Sequence, residues 1–566
     1  MLEKIWNIKE KNIPLQKKLS KELGISSILA QLLINRDITD PKVADVFLRS
    51  KACDLHDPFL LKDMDRAVER IARAIAGSER IMIHGDYDAD GITATALLWN
   101  VLKDMKAECV THIPNRLEEG YGLNDKAVRS AAGKKIGLII TVDCGISSNK
   151  QVDLARDLGI DVIITDHHEI CGIIPDAYAV ISPLRDDCLY PFKHLSGVGL
   201  AFKLACALTR DTSYPVLEHL DLVAVGTVAD IVSVIGENRI LIKYGLSKLK
   251  DTKKKGLRAL LDITGLSGKD LVSTHVGYML GPRINAAGRI GSPDLALKLL
   301  ITDDEAEAQR LAKRLDDENR SRQRIEEEIL QNALIKVENE INFKNDRVII
   351  LSSESWHEGV IGIVASKLVD RFYRPTILIS EGKIPCKGSG RSIEGFHLFN
   401  ALSECRQYLS KFGGHQGACG LSIEKARIKD FRRSINTLAS AVIMPENLMP
   451  KLDIDMEIPL GALNERLIGE LDMLGPFGPG NPKPVFASND VELKRDPVMV
   501  GKNGLKFWVT DNNVTCEAIE FRRRSQIGRL TAKDRVSVAY IPVISRWNGI
   551  ESIQLNLEDI KIVASS

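Results

Sequence analysis

The chain has 566 residues, 44% of them apolar and 27% charged, with 77 basic against 76 acidic side chains for a formal charge of +1. At roughly 150 residues per domain this is about three or four domains of ordinary globular composition, which excludes a peptide hormone, a fibre and a lone binding module. With so little net charge, any nucleic-acid interface has to be a local basic patch.

The first twenty residues mix Lys and Glu with short apolar pieces and hold no apolar stretch of secretory type. The longest apolar run, Leu222 to Gly236, carries Asp230 inside it and is shorter than the roughly 20 residues a bilayer crossing needs. A cytoplasmic protein with no membrane association is expected. Ten cysteines are scattered with no C-x-x-C pair, so neither a zinc knuckle nor a disulfide framework is signalled. Residues 16–76 read as short helices with turns between them, as in KLSKELGISSILAQLLI, a pattern commoner in ordinary bundles than in DNA-reading helix-turn-helix units. From about residue 80 the runs RIMIHGD, IGLIITVD, DVIITDHH and AYAVISP alternate with helical segments, which predicts a parallel sheet covered on both faces.

Residues 303–341 are highly charged, carry apolar residues at helical intervals and contain neither Gly nor Pro. They predict a helix about 58 Å long, read as a strut between two domains because a new β/α pattern follows directly. That second unit, about 345–450, contains RVIILSS, TILIS and two Gly-rich loops; LGPFGPGNPKP then marks a linker, and KFWVT, RVSVAYIPVI and SIQLNLEDIKIV predict a terminal β-barrel. Within 501–550 nine Lys or Arg stand against four acids, interleaved with Phe507, Trp508, Phe521 and Trp547. Charge with aromatics suits a single-stranded nucleic acid, and a solvated barrel edge is the plainer account.

The chemistry is concentrated in His84-Gly85-Asp86-Tyr87-Asp88-Ala89-Asp90-Gly91, between the strand Ile81-Met82-Ile83 and a helix. Three carboxylates at alternate positions need a cation to neutralise them. A calcium loop would require Glu at the twelfth position, where Leu97 stands, and two flanking helices instead of a strand. Two further strands end alike, in Asp143 and in Asp166-His167-His168, and Asp230 lies in the apolar Gly226-Thr227-Val228-Ala229-Asp230. Ligands of an open α/β sheet collect at the carboxyl ends of its strands, so these groups are expected to meet there. Oxygen ligands with a few imidazoles favour Mn2+ or Mg2+, and two such ions would suit hydrolysis of a phosphate ester or anhydride. No Gly-rich loop for ATP or dinucleotides occurs in a strand-to-helix setting.

The Asp cluster, VDCGIS, DHH and GTVADIV resemble the four motifs of the DHH phosphoesterase superfamily. Beyond them IPNRLEEGYGL, LSGVGLAFKL, GPRINAAGR, WHEGVIGIVASKLVDRFYRPTILIS, GSGRSIEGFHLFNAL, FGGHQGACGLSI and PFGPGNPKPVF extend the resemblance, almost end to end, to the RecJ family of bacterial single-strand-specific exonucleases. The resemblance implies an N-terminal helical segment packed on the core (1–76), a parallel-sheet DHH domain (77–300), a connecting helix (301–342), a smaller α/β DHHA1 domain (343–450) and an OB-fold (451–566). It also implies one metal on His84, Asp88 and Asp143 and another on Asp90, Asp143, His167 and Asp230, with Asp143 bridging. His168 would face the scissile phosphate, Asp166 would orient an imidazole and Asp86 would be a support. Ser389, Arg391, Gly413, Gly414 and His415 would receive a terminal phosphate, and Arg116, Arg283, Asn285 and Arg289 backbone phosphates; for Arg283 and Arg289 a structural ion pair is the alternative. The implied activity is 5′ to 3′ release of mononucleotides from single-stranded DNA in recombination and repair, with a single-strand-binding protein and a repair helicase as helpers. The competing readings are a DHH phosphodiesterase of oligoribonucleotides or cyclic dinucleotides, and a non-catalytic single-strand-binding scaffold. Gln416, Cys419 and His397 depart from the family pattern, the last standing where Asp is frequent.

Overall fold

Strands buried on both faces read as near-continuous β-branched runs, and five such runs build the first sheet. In the computed structural model they are Ile81–His84 (β1), Cys109–His112 (β2), Leu138–Val142 (β3), Asp161–Thr165 (β4) and Ala179–Ile181 (β5). The structure describes residues 4–115, 119–170, 172–501, 504–521, 530–547 and 550–563, the side chains of Trp547 and Ile550 excepted. The strand order is β2-β1-β3-β4-β5 and every pairing is parallel, so all the carboxyl ends share one edge. The chain leaves β1 to one side and returns at β3 on the other, which makes the β1/β3 edge the switch point where a crevice opens. One face is covered by Ala89–Asp104, nearly all of it buried against Gly197–Leu208 and Leu220–Ala229. The other is covered by Asp125–Gly133 and Asn149–Asp157.

The chain divides into two units, one of residues 42–320 with 472–483, the other of residues 1–41, 321–471 and 484–566. The expected N-terminal segment is thus split near Pro41, because Ile5–Ile8 pairs in parallel with Lys451–Ile454 and the Trp6 indole donates to Asp559 at 2.7 Å. The linker-like LGPFGPGNPKP mostly falls within 472–483 and so groups with the first unit. The long helix runs Glu305–Glu340. Its Ala308, Leu311, Ala312 and Leu315 enter the first unit's core, while Asn332 and Glu326 in its second half accept from Trp356 and pair with Lys367 in the second unit.

The second unit holds a mixed sheet of Ile349–Ser353 (β6), Thr376–Ser380 (β7), Cys386–Arg391 (β8), Leu409–Gly414 (β9) and Ala418–Ile423 (β10) in the order β9-β10-β8-β7-β6. Beyond it Phe486–Leu493 pairs with both Arg535–Trp547 and Gly504–Thr510, which closes the C-terminal sheet into the expected barrel. Phe507 lies in the barrel core and is no stacking platform, as the alternation along Gly504–Thr510 turns it inward. Lys506, Arg535 and Arg546 pair with Glu517, Asp490 and Glu551, so part of the local positive charge is neutralised in place. Lys502, Arg522, Arg523, Arg524 and Arg529 lie outside the described residues. Among the described residues no helix is long and apolar enough to cross a membrane.

Candidate metal centre

At the end of β1 the chain turns through Asp86 to Asp88 into the helix Ala89–Asp104. Asp88 caps that helix, its Oδ1 accepting from the Asp90 and Gly91 amides at 2.9 and 3.1 Å. Asp90, buried in the first turn, is held by a second helix start: its Oδ2 accepts from Gly197 N at 2.7 Å and its Oδ1 from Val198 N at 2.8 Å. Two amides at a positive helix end are what a buried carboxylate needs. Gly197 is required for close approach, since a Cβ there would lie 2.4 Å from Asp143 Oδ1. Asp143 follows β3 in the left-handed region, at φ +62, which turns its carboxylate back over the sheet edge.

Three carboxylates expected from sequence meet around His167. Its Nε2 lies 3.1 Å from Asp143 Oδ1, 3.5 Å from Asp230 Oδ2 and 3.9 Å from Asp90 Oδ2. Three ligand sets have their donor atoms within 4.8 Å of one another: Asp90, His167 and Asp230; Asp86, Asp88 and Asp143; and Asp143, His167 and His168. Asp143 and His167 are each shared by two sets. Among the described residues, the buried atoms Asp143 Oδ1, His167 Nε2 and His84 Nδ1 have no hydrogen-bond partner. Buried donor atoms converging in this way fit a divalent cation, and the oxygen-rich donor set fits manganese or magnesium better than zinc. Two placements differ from the expectation. Asp86 stands inside a ligand set instead of behind one, and His84 lies outside all three sets, its ring stacked on His112 with Nε2 3.3 Å from Gly122 O.

Charge in the pocket runs in opposite directions for acids and imidazoles. Burial first, then Asp88, lifts Asp90 to about 7; burial, then Asp90 and Asp88, lifts Asp230 to about 9; burial and Asp90 push Asp143 well above the carboxylate range. Burial lowers His167 to about 4 and His84 to about 3, leaving both imidazoles neutral and able to donate lone pairs. His168 behaves otherwise: burial works against its charge, yet the hydrogen bond from Nδ1 to Asp166 Oδ1 at 2.7 Å outweighs it and raises the group to about 9. Asp166 also accepts from Ile146 N at 2.9 Å, which fixes it as an orienting group. Sequence reasoning did not single out Tyr121, whose hydroxyl lies 3.0 Å from His168 Nδ1 and 3.4 Å from Asp143 O. An aromatic between two glycines in EEGYGL was the available signal.

Of the expected phosphate contacts, Arg116 lies outside the described residues. Arg283 is engaged inside its own unit, donating to Asp316 at 2.8 and 2.9 Å and to Met279 O at 2.6 Å. Asn285 Oδ1 accepts from Ala89 N at 2.8 Å and so holds the first turn after Asp88. Arg289 lies half-buried four residues further on the same helix, Gly281–Ile290. In the second unit Ser389, Gly420 and Gly413 are register partners across β8, β10 and β9, a row of small residues beside Arg391, whose guanidinium donates to Ser389 Oγ and Gly390 O. Gly414 (φ +138) and His415 turn from β9 toward β10, the His415 amide donating to Ala418 O.

Residues 80–227 match the DHH family, N-terminal domain, residues 345–441 the DHHA1 domain and residues 454–559 the RecJ OB domain. The chain is 38% identical over 560 residues to the single-stranded-DNA-specific exonuclease RecJ of Bacillus subtilis (strain 168), spanning 98% of this chain and 71% of that one. It is 37% identical over 564 residues to the protein of the same name from Dickeya dadantii (strain 3937), spanning 95% and 96%. Among solved structures it is similar to RecJ in complex with Mn2+ from Thermus thermophilus, with a TM-score of 0.85 at 29% identity over 99% of this chain and 80% of that one.

Proposed function

This chain belongs to the RecJ family of single-stranded-DNA-specific exonucleases, and we propose that it removes 5′-mononucleotides from single-stranded DNA in the 5′ to 3′ direction, with manganese or magnesium, in recombination and repair. The observation that carries this reading is the meeting of Asp90, Asp143, His167 and Asp230 at the switch point of the parallel sheet. Asp90, Asp143, His167 and Asp230 would hold one ion; Asp86, Asp88 and Asp143, with His84 beside them, would hold the other. Bound there, such ions supply a nucleophilic water near neutral pH and neutralise the phosphate.

The chain's own groups do the rest. His168, kept protonated by Asp166 with Tyr121 beside it, presents its remaining ring nitrogen to a nonbridging oxygen of the scissile phosphate and stabilises the charge that builds there. Ser389, Arg391, Gly413, Gly414 and His415 take the terminal phosphate, and Arg116 and Arg289 take backbone phosphates. Arg283 and Asn285 act at one remove, by fixing the helix Gly281–Ile290 and the turn at Ala89. The domain limits read from sequence apart from the N-terminal segment, a cytoplasmic location and helpers of the single-strand-binding and helicase kind belong to the same proposal.

Digestion of 5′- and 3′-labelled DNA and RNA, single and paired, with either metal tests it. Mononucleotides should leave the 5′ end of single-stranded DNA, with duplex spared. Equal or faster loss of short RNA would favour the oligoribonucleotide phosphodiesterase reading, and binding without cleavage would favour the scaffold.

A further inference from the structure

The acidic groups of the centre are held in unequal ways. Asp88 accepts two amides of its own helix, Asp90 two amides of a neighbouring helix, and Asp166 the Ile146 amide. Among the described residues, none donates a hydrogen bond to the Asp230 carboxylate, whose nearest counter-group is His167 Nε2 at 3.5 Å. Its position therefore depends on the backbone that carries it. The helix Leu220–Ala229 ends at Asp230, and the next residue, Ile231, stands at φ +63 with its side chain exposed. A β-branched residue stays in that region only where its surroundings dictate the turn.

The surroundings come from residues 472–483. Val234 N donates to Pro479 O at 2.7 Å. A Cβ on Gly478 would lie 2.5 Å from Val234 Cγ2, and one on Gly480, at φ +74, would lie 3.3 Å from Ser233 Cβ and 3.4 Å from Ile235 Cγ2. The segment is tied by buried Asn481, whose Nδ2 donates to Leu474 O at 2.7 Å and Pro476 O at 2.9 Å. It is anchored by buried Arg239, whose Nη2 donates to Met473 O at 2.9 Å and Gly475 O at 2.6 Å while the guanidinium lies 4.1 Å over Phe47. From the opposite side Asn238 donates to Ser233 O at 3.1 Å.

We propose that Asp472–Lys483 is a strap for the metal centre, and that Asn481 and Arg239 are positioning residues that act through the backbone of Ser233 to Ile235 to hold Asp230 in place. The strap rests on the reading of Asp230 as a metal ligand. A chain segment that enters the sequence as a linker is thereby part of the apparatus that sets metal affinity.

Calorimetric titration of the metal-stripped full-length protein with Mn2+ separates the two claims. Asp230→Asn should weaken binding and thereby tests the ligand. Asn481→Ala, which loosens the strap's own turn, should weaken Mn2+ binding about tenfold, the low end of what partners behind a ligand contribute. It should also raise the Mn2+ concentration for half-maximal rate while leaving KM for DNA unchanged. Gly480→Ala, which pushes the strap from Ser233 and Ile235, should do the same and decides the matter if Asn481→Ala folds poorly. Phe431→Leu, in the second unit's core, should lower Tm without moving Mn2+ affinity. The strap is overturned if Asn481→Ala or Gly480→Ala, folded, binds Mn2+ as the wild type does. Undiminished binding by Asp230→Asn overturns the ligand reading beneath it.

Discussion

Asp143 sits where five separate constraints meet: a strand end, a left-handed turn, Gly197, His167 and the other carboxylates. Without a cation its charge is a liability, as are those of Asp90 and Asp230, whose carboxyls titrate near 7 and 9. A carboxyl raised above its unfolded value contributes stability that is fully present below about pH 4 and lost as pH rises through the folded value. The chelated protein should therefore melt progressively lower between pH 5 and 9, by roughly 2–8 °C, the effect of about 1–2 kcal/mol in a unit of this size. Added Mn2+ competes with those protons, so its increment in Tm should be larger at pH 8 than at pH 6. Asp143→Asn, which tolerates φ +62, should flatten the decline and abolish most of the Mn2+ increment. Scanning calorimetry in chelator and in manganese checks both, and a full Mn2+ increment in the variant would refute the bridging role. These carboxylates were legible because an acid at the end of an apolar strand is conspicuous. Their supports were not: the amides that hold Asp90 lie 107 and 108 residues away.

Among the elements, the helix Gly281–Ile290 shows how residue type alone leaves a role open. GPRINAAGR reads as a row of phosphate contacts, yet Arg283 is spent on buried Asp316 and Asn285 on the Ala89 amide. A partner 33 or 196 positions distant cannot be read from local pattern. Arg283→Met should cost about 1–3 kcal/mol, because among the described residues Asp316 keeps only Arg320 as a counter-charge, and should leave KM for DNA within about twofold. Urea unfolding with steady-state kinetics decides it; a raised KM at unchanged stability would return Arg283 to the phosphates. His397 shows the reverse case. Its Nδ1 accepts from Asn400 N at 3.3 Å and caps the helix Leu398–Glu404, the duty an Asp performs at such a position, so this departure from the family pattern preserves the local structure. The long helix was legible within a few residues at each end, since an uninterrupted charged stretch without Gly or Pro has few other conformations.

On the scale of the whole molecule, the formal charge is +1 and Lys506, Arg535 and Arg546 are paired, so the cations proposed to meet phosphate come down to a few side chains, Arg116, Arg289 and Arg391 among them. Affinity for single strands should then depend on salt only modestly, with a slope of log K against log salt no steeper than about −3, the release expected from about four phosphates. Fluorescence anisotropy between 50 and 200 mM salt, roughly the range over which such slopes are read, would contradict this with a slope near −6. The alternation of strand and helix announced the parallel sheet and the succession of strand signals the barrel, whereas the interleaving of the units depends on pairings across nearly the full sequence and left no local trace. That interleaving has a consequence for biosynthesis. Among the described residues the strand partner of Ile5–Ile8 is Lys451–Ile454, and Trp6 waits for Asp559, later still in the chain. The strand Ile5–Ile8 therefore leaves the ribosome hundreds of codons before its mate, and that unit stays open until its distant piece has emerged.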